Sequence, residues 1–177
     1  RRSSMTSATP ASRVPLPLYA IGLGSNRRHV RHGDPRQILL AALAALESDD
    51  IEPVDVSPII ASEPLGPSRR RYANAVALVA SPLSPPEMLD RLQCIEAAFG
   101  RRTGQRWSAR TLDLDILLWS GGVWSEADLT IPHPAIAERA FVLGPLRTVA
   151  PDWRHPLTAR TVRQLAARLI RPKPVDQ

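Results

Sequence analysis

Residues 106–118 read RWSARTLDLDILL: two arginines and an indole precede two acids separated by one leucine. The alternation of apolar and polar residues from 112 to 116 is typical of a strand with one buried face. Asp113 and Asp115 would then share the other face, roughly 7 Å apart at Cα. Carboxylates at this spacing can share hard divalent ions such as Mg²⁺, which also takes phosphate oxygens and water. The stretch therefore predicts a metal and phosphate site on a strand.

A simpler interpretation of the same residues is an edge strand with a solvated acidic face, which is common on half-exposed sheets. The residues before the acids favour the phosphate site. Arg110 supplies a planar, permanent cation suited to phosphate. Two acids on one face also repel each other, so they usually need a cation, and either the arginines or a metal could supply it.

Length and composition predict one globular domain. The chain has 177 residues, of which 44% are hydrophobic and 23% charged, enough to bury an ordinary core. No apolar run approaches the roughly 20 residues of a membrane helix, so no membrane partner is expected. The single cysteine, Cys94, excludes an internal disulfide and fits a reducing, cytoplasmic location. Its position inside a predicted helix suggests a packed thiol.

The net charge of +6 would allow binding to nucleic acid. The basic residues are almost all arginine, with Lys173 as the only lysine, and so global a bias resembles codon pressure more than a binding patch. An acidic pair at the centre of a sheet face would also repel nucleic-acid phosphates unless a metal were bound. We therefore expect no nucleic-acid partner, although a nucleic-acid-binding module remains an alternative.

Residues 1–18 are rich in Arg, Ser, Thr and Pro and carry no periodic pattern. We expect them to be a disordered arm or a cloning remnant, followed by a single domain over residues 19–177. A mitochondrial transit peptide would have a similar composition. Pro10, Pro15 and Pro17 would interrupt its amphipathic helix, which favours the first interpretation.

The remaining chain alternates strand-like and helix-like segments. Gly22 and Gly24 follow the first strand, but the third glycine of a dinucleotide fingerprint is missing, so that motif is rejected. Gly121 and Gly122 predict a hairpin that returns through Trp124. The other predicted elements are a short strand that begins at Tyr19 and runs into a glycine-punctuated turn ending at Asn26, strands at 51–62 and 73–81, and helices at 35–46, 85–99, about 139–146 and 161–170.

The helix after Ser84 has the clearest signals in the chain. Ser84 and Glu87 form a capping-box pattern, and Gly100 offers a left-handed stop. Glu96 lies near the end of this helix, where the macrodipole disfavours a carboxylate unless it is paired. Glu96 is expected either to pair with arginines of the following loop or to remain solvated.

Four blocks resemble the 6-hydroxymethyl-7,8-dihydropterin pyrophosphokinase family. They are GLGSN at 22–26, EPLGP through YAN at 63–74, the segment from Ile95-Glu96 to Asp115, and Ile131-Pro132-His133 through Arg139-Ala140-Phe141. Together they span roughly residues 19–151 in the family's order. The RWxxRTLDLD block is highly specific, whereas GxGSN alone is weak.

The resemblance implies an α+β, ferredoxin-like sandwich with a mainly antiparallel sheet and helices on both faces. It also implies an Mg²⁺-dependent diphosphotransferase that moves diphosphate from ATP to 6-hydroxymethyl-7,8-dihydropterin in folate biosynthesis. The expected state is a monomer, and Asp113 and Asp115 would hold two Mg²⁺ ions. Asp113 could also accept the hydroxyl proton, a role that stays open because phosphoryl transfer needs little base assistance.

Further site residues are implied by the same resemblance. The pterin slot would use backbone near Ser62 and Leu65, the Asn74 amide, and stacking between Tyr72 and Phe141. From the residues alone, simple core packing would be the commoner role of these two rings. Arg101 and Arg110 match positions that grip the transferred group. The ATP-binding positions would be Gln93, Glu96, Arg102, Trp107, Arg110, Ile116, Thr130, His133 and Arg139.

Two departures from the family pattern concern the loop that starts at Arg101. This loop is about one residue short and lacks a lysine common in the family, which leaves Arg102 and Arg106 as replacements.

A nucleotidyl or glycosyl transferase could use the same acid pair with Mg²⁺, but it would not require Tyr72, Asn74 and Phe141 together.

Overall fold

A computed structural model of the chain describes residues 14–26, 29, 31–62, 72–100 and 111–170. Within these ranges the structure is an α+β arrangement of seven strands and four helices. No described helix is long and apolar enough to cross a membrane. The elements are β1 (Leu18–Ser25), α1 (Pro35–Leu46), β2 (Glu52–Val56), β3 (Ile60–Ser62), β4 (Tyr72–Ala80), α2 (Pro85–Ala98), β5 (Asp113–Trp119), β6 (Trp124–Glu126), β7 (Leu129–Ile131), α3 (Ala140–Val149) and α4 (Val162–Ile170).

The main sheet is antiparallel, with strand order β2-β4-β1-β5, and β3 also pairs with β4. β1 is central because β4 and β5 both pair along it. β5, which carries the two aspartates, therefore lies at one edge of the sheet. The mainly antiparallel sheet that the family resemblance implied is confirmed.

Helices cover both faces of this sheet. Alternate residues of β1 point to opposite sides and therefore contact different helices. Tyr19, Ile21 and Leu23 pack in one buried cluster with residues of α1 and α2. Ala20 packs in a second cluster, with residues of α3 and α4. The expected two-sided arrangement is therefore confirmed, and the functional question becomes which face is open near β5.

The ends of α2 follow the sequence signals. The Glu87 carboxylate accepts hydrogen bonds from the Ser84 backbone N–H at 2.8 Å and from the Ser84 hydroxyl at 2.7 Å. These bonds to Ser84 lower the pKa of Glu87 below its usual value. Gly100 adopts a positive φ of 116°, as expected of a left-handed helix stop.

Two strand predictions were wrong in detail. The predicted strand over 51–62 is broken between β2 and β3, where the Ser57 backbone N–H and hydroxyl oxygen both bond to Val76 of β4. The chain does turn at Gly121–Gly122, but the returning strand β6 pairs with β7 rather than β5. The edge of β5 that faces away from β1 is therefore not paired with β6.

The prediction of a packed Cys94 thiol was also wrong. Cys94 is exposed on α2, whereas Met88, Leu92 and Ile95 form the buried stripe of that helix. Cys94 is adjacent to Ile95 in sequence, but one residue along a helix turns the side chain by about 100°, away from the core.

Ionisation of the buried Tyr19 makes the stability of the protein depend on pH in the alkaline range. Its hydroxyl donates to the Leu83 carbonyl at 2.6 Å, and burial, with a smaller contribution from Glu87, raises its pKa to about 12. An unfolded tyrosine ionises near pH 10, so the stabilisation is complete below that pH and is lost as pH rises toward 12. We expect wild type to lose roughly 2 kcal/mol between pH 9 and pH 11.5 and Tyr19→Phe to lose much less. Urea unfolding at pH 9 and pH 11.5 measures the difference, and parallel losses in both proteins would contradict it.

Candidate functional site

The strand register places candidate residues in two rows across one face of the sheet. In the first row, Gly24 of β1 pairs with Asn74 on β4 and with Asp113 on β5. In the second, Gly22 pairs with Val76 on β4 and with Asp115 on β5. Each row thus runs from β4 across a bare glycine to one carboxylate.

The acid pair follows the predicted alternation. Asp113 and Asp115 are exposed, while Leu112, Leu114 and Ile116 between and beside them are buried. The solvated-edge interpretation is correct in that β5 is an edge strand. It is incomplete, because both aspartates also border a cavity on the face toward α3.

That cavity, in the described part of the chain, has a volume of about 190 Å³. It is open to solvent and suits part of a small molecule rather than a macromolecule. Its floor is the β1 backbone at Gly22 and Gly24, and its walls come from β4, β5 and α3. The wall residues include Tyr72, Asn74, Val76, Asp113, Asp115, Leu117, Arg139, Phe141 and Val142.

The two aromatic rings of the cavity do not pack in the core. Tyr72 is 36% exposed, Phe141 is half-buried, and neither belongs to a buried core cluster. Core packing, the commoner role for such residues, is therefore wrong for both. The rings come from β4 and from α3, which begins over the open face of the sheet, so a flat group can be flanked from two elements.

Arg139 immediately precedes the first residue of α3 and borders the same cavity. Its guanidinium carbon lies 5.8 Å from the centroid of the Phe141 ring, within the range of a cation–π contact. Among the described residues that line the cavity it is the one cation, and it faces a space that also receives two carboxylates. A phosphate-bearing ligand would find both metal-binding oxygens and a guanidinium there.

A β-bulge at Leu117 brings the His133 segment to β5. Between the pairs Ala20–Leu118 and Ile21–Ile116 the register shifts by one residue, which leaves Leu117 unpaired with β1. The Leu117 carbonyl instead accepts the His133 backbone N–H at 2.9 Å. The Nδ1 atom of His133 accepts from the Ala135 backbone N–H at 3.1 Å, so a neutral ring carries its proton on Nε2. That N–H can serve as a donor to phosphate.

Glu96 reaches the same strand from the other side. Its Oε1 accepts the Leu114 backbone N–H at 2.7 Å, midway between the two aspartates. The Glu96 side chain is half-buried, so the fully solvated alternative was wrong. Whether the loop arginines also pair with it lies outside the described residues. Glu96 holds the edge of β5 where the carboxylates project.

The other described ATP candidates, Gln93, Ile116 and Thr130, do not line the cavity. Gln93 is exposed on α2 and Thr130 is exposed on β7, two elements that contact each other. The Ile116 side chain is 4% exposed and packs in the core on the α1 and α2 side, so only its backbone can serve a site.

Several predicted site residues fall outside the described part of the chain. These are Leu65, Arg101, Arg102, Trp107 and Arg110, together with the side chain of Ser62. Their roles stay predictions. The Ser62 backbone ends β3, opposite Tyr72.

The residues present fit Mg²⁺ bound jointly with phosphate. No group of three or more His, Cys, Asp or Glu able to hold a metal occurs in the described residues. A closed, all-protein metal site is therefore not found there, whereas two carboxylates beside an open cavity match the one or two that Mg²⁺ takes with substrate phosphates.

Sequence reasoning had passed over part of the cavity. Gly22 and Gly24 were matched to the family within the GLGSN block but were predicted to lie in a turn after the first strand, and that was wrong: both lie within β1 and form the floor of the cavity. The available signal was their spacing of two, which puts both glycines on one strand face. Leu117 and Val142 could not have been assigned, because their positions depend on the bulge and on the placement of α3.

Comparison with known proteins gives one consistent family. The family model for 7,8-dihydro-6-hydroxymethylpterin-pyrophosphokinase matches residues 20–151. A 2-amino-4-hydroxy-6-hydroxymethyldihydropteridine pyrophosphokinase of Pseudomonas aeruginosa is 44% identical over 138 residues, covering 77% of this chain and 82% of that protein. The protein of that name in Synechocystis is 39% identical over 145 residues, covering 82% and 72%.

Solved structures agree at the level of fold. A crystal structure of an HPPK-DHPS protein in complex with substrates matches with a TM-score of 0.69 at 12% identity, covering 89% of this chain. The wild-type HPPK-DHPS protein of Plasmodium falciparum matches with a TM-score of 0.69 at 14% identity, covering 90%. This chain spans less than half of either solved chain, 44% and 42%. The sequence matches decide the family: the chain belongs to the 7,8-dihydro-6-hydroxymethylpterin-pyrophosphokinase family.

Proposed function

We propose that this chain transfers diphosphate from ATP to 6-hydroxymethyl-7,8-dihydropterin, giving AMP and the pterin diphosphate, a step of folate biosynthesis. The observation that carries the proposal is the composition of the cavity described above. One side has Tyr72, Asn74 and Phe141, and the other has Asp113 and Asp115. These are the two kinds of group that a pterin and a nucleotide phosphate require.

The pterin would lie between the rings of Tyr72 and Phe141. A flat heterocycle gains dispersion and desolvation on both faces in such a slot. The Asn74 amide, 8% exposed, borders the slot and can both donate to and accept from the edge of the pterin ring. Ser62 and Leu65 are proposed to contribute backbone groups to the same edge.

The phosphates would lie toward β5, where Asp113 and Asp115 are proposed to hold two Mg²⁺ ions. Bound there, Mg²⁺ would offset phosphate charge and orient the reacting phosphoryl groups. Arg139 and the Nε2–H of His133 supply further positive charge and a donor from the protein. Gln93, Glu96, Arg102, Trp107, Thr130 and the Ile116 backbone are proposed to complete the ATP site.

The chemical step is a substitution at the β-phosphorus of ATP. The hydroxymethyl oxygen forms the new P–O bond, the bond to the oxygen bridging the α- and β-phosphorus atoms breaks, and AMP leaves with that oxygen. The hydroxyl proton passes to solvent or to Asp113. The main task of the protein is alignment and charge stabilisation, to which Arg101 and Arg110 are proposed to contribute.

Finer features of the protein are proposals of the same kind. The strand order β2-β4-β1-β5, with helices after β1 and after β4, supports a ferredoxin-like assignment. We propose one domain over residues 19–177 that acts as a monomer in the cytoplasm and binds neither nucleic acid nor membrane. Light scattering after size-exclusion chromatography tests the monomer.

The function is tested by incubating the protein with Mg²⁺, ATP and 6-hydroxymethyl-7,8-dihydropterin, then separating nucleotides and pterins. We expect equal amounts of AMP and pterin diphosphate. The matched control replaces the substrate with 6-methyl-7,8-dihydropterin, which has the same ring but no attacking hydroxyl and should yield no AMP. Formation of ADP, or no turnover with the hydroxymethyl substrate, would overturn the proposal and favour another nucleotide transferase.

A further inference from the structure

The centre of the cavity floor lacks side chains. Gly24 separates Asn74 from Asp113 across the strands, so the pterin-reading amide and the first carboxylate lie about 10 Å apart at Cα. Any substrate that touches both ends must cross the β1 backbone at this point.

Backbone conformation does not explain why position 24 is a glycine. Gly33, Gly100 and Gly122 are the described glycines with positive φ, and neither Gly22 nor Gly24 is among them. Both lie within a strand and pair on both sides, where glycine usually weakens a sheet. A glycine inside a strand often marks a close approach of another group, so the space above Gly24 is the feature to explain.

The two glycines differ in what a side chain would meet. A Cβ at Gly24 would lie 3.3 Å from Oδ1 of Asn74, with no other described atom within 4 Å, so it would project into the cavity beside the amide. A Cβ at Gly22 would lie 3.3–3.4 Å from side-chain carbons of Leu117. Leu117 is buried, so its side-chain carbons already close the space above Gly22, whereas the one described contact at Gly24 is the amide oxygen of Asn74.

We propose that Gly24 is a specificity-determining residue: its bare position is the passage for the one-carbon arm at C6 of the pterin. This inference rests on the proposed function. With the ring between Tyr72 and Phe141 and the phosphates at Asp113 and Asp115, the hydroxymethyl carbon crosses the floor at Gly24. A side chain there occupies the path of the arm and leaves the ring slot largely in place.

The test compares two ligands on matched variants. Binding of 6-hydroxymethylpterin and of pterin, which lacks the C6 arm, is measured by calorimetry with Mg²⁺ and α,β-methylene-ATP. The proteins are wild type, Gly24→Ala, Gly24→Val and the control Gly144→Ala, at an exposed glycine of α3 that does not line the cavity. Thermal unfolding establishes that each variant is folded, and Gly24→Ala remains informative if Gly24→Val does not fold.

We expect Gly24→Ala to weaken the binding of 6-hydroxymethylpterin about tenfold more than it weakens the binding of pterin. The ratio of these two losses of affinity should be larger for Gly24→Val. If the new side chain only displaced the Asn74 amide, both ligands would lose the same affinity. An unequal loss therefore reports a clash with the C6 arm. Gly144→Ala should leave the ratio near that of wild type. An equal loss for both ligands, or no loss, overturns the proposal.

Failure of the function itself gives a different result. If wild type binds neither pterin and produces no AMP with the hydroxymethyl substrate, the proposed function is wrong. If wild type transfers diphosphate but the Gly24 variants keep the wild-type ratio of affinities, only the passage is wrong.

Discussion

Asp115→Asn should lower kcat for AMP formation by about 10²–10³-fold. The asparagine keeps the shape of the side chain but removes the anionic oxygens that a hard divalent ion requires. Stability should be unchanged or slightly higher, because Asp115 is exposed and its loss relieves repulsion with Asp113. The measurement is steady-state AMP formation over a range of Mg²⁺ concentrations, combined with thermal unfolding.

A matched control is available at the opposite edge of the sheet. Asp55 is an exposed aspartate on edge strand β2, away from the cavity, and Asp55→Asn should keep wild-type kcat. If folded Asp115→Asn retains more than about a tenth of wild-type kcat, the acid pair is not the centre of charge stabilisation.

Asn74→Leu should weaken pterin binding by about 10²-fold while leaving the affinity for Mg²⁺ with α,β-methylene-ATP near that of wild type. Leucine has a similar volume but leaves the polar edge of the pterin without its partner, at a cost of roughly 1–3 kcal/mol for each unsatisfied group. Calorimetry with 6-hydroxymethylpterin measures the loss.

The two affinities of the same protein separate recognition from folding. Asn74 is buried, so some loss of stability is expected, and binding is measured well below the unfolding midpoint. Asn74→Asp serves as a second variant of nearly identical shape, since it removes the amide donors. Equal weakening of nucleotide and pterin would indicate a general distortion of the site, and unchanged pterin affinity would remove Asn74 from the slot.

Elements with their own local signals were predictable from sequence. The capping box at Ser84, the stop at Gly100 and the alternation around Asp113 and Asp115 each rest on residues close together in the chain, and each is present in the structure. The family motifs added Tyr72, Asn74, Arg139 and Phe141, which line one cavity.

Features set by distant partners were not predictable in the same way. β6 was expected to return along β5, but it forms a hairpin with β7, which begins after residues 127 and 128, and the glycine turn before β6 gave no sign of this competing partner. The roles of Glu96 and Ile116 likewise depended on their neighbours: Glu96 bonds to the Leu114 backbone, and the Ile116 side chain lies in the core. Periodicity identifies a strand face, but it does not identify the element that covers it.

The bulge at Leu117 divides β5 into two parts that pair with β1 in different registers. Before it, Asp113 and Asp115 are registered against Gly24 and Gly22; after it, the ladder resumes one residue out of step. A length change at Leu117 would therefore alter where the His133 segment docks while leaving the carboxylates on their face. A single-residue insertion between Asp113 and Asp115, by contrast, would send the two carboxylates to opposite sides of the sheet. Variation in chain length is thus tolerated at the bulge and not within the acid pair.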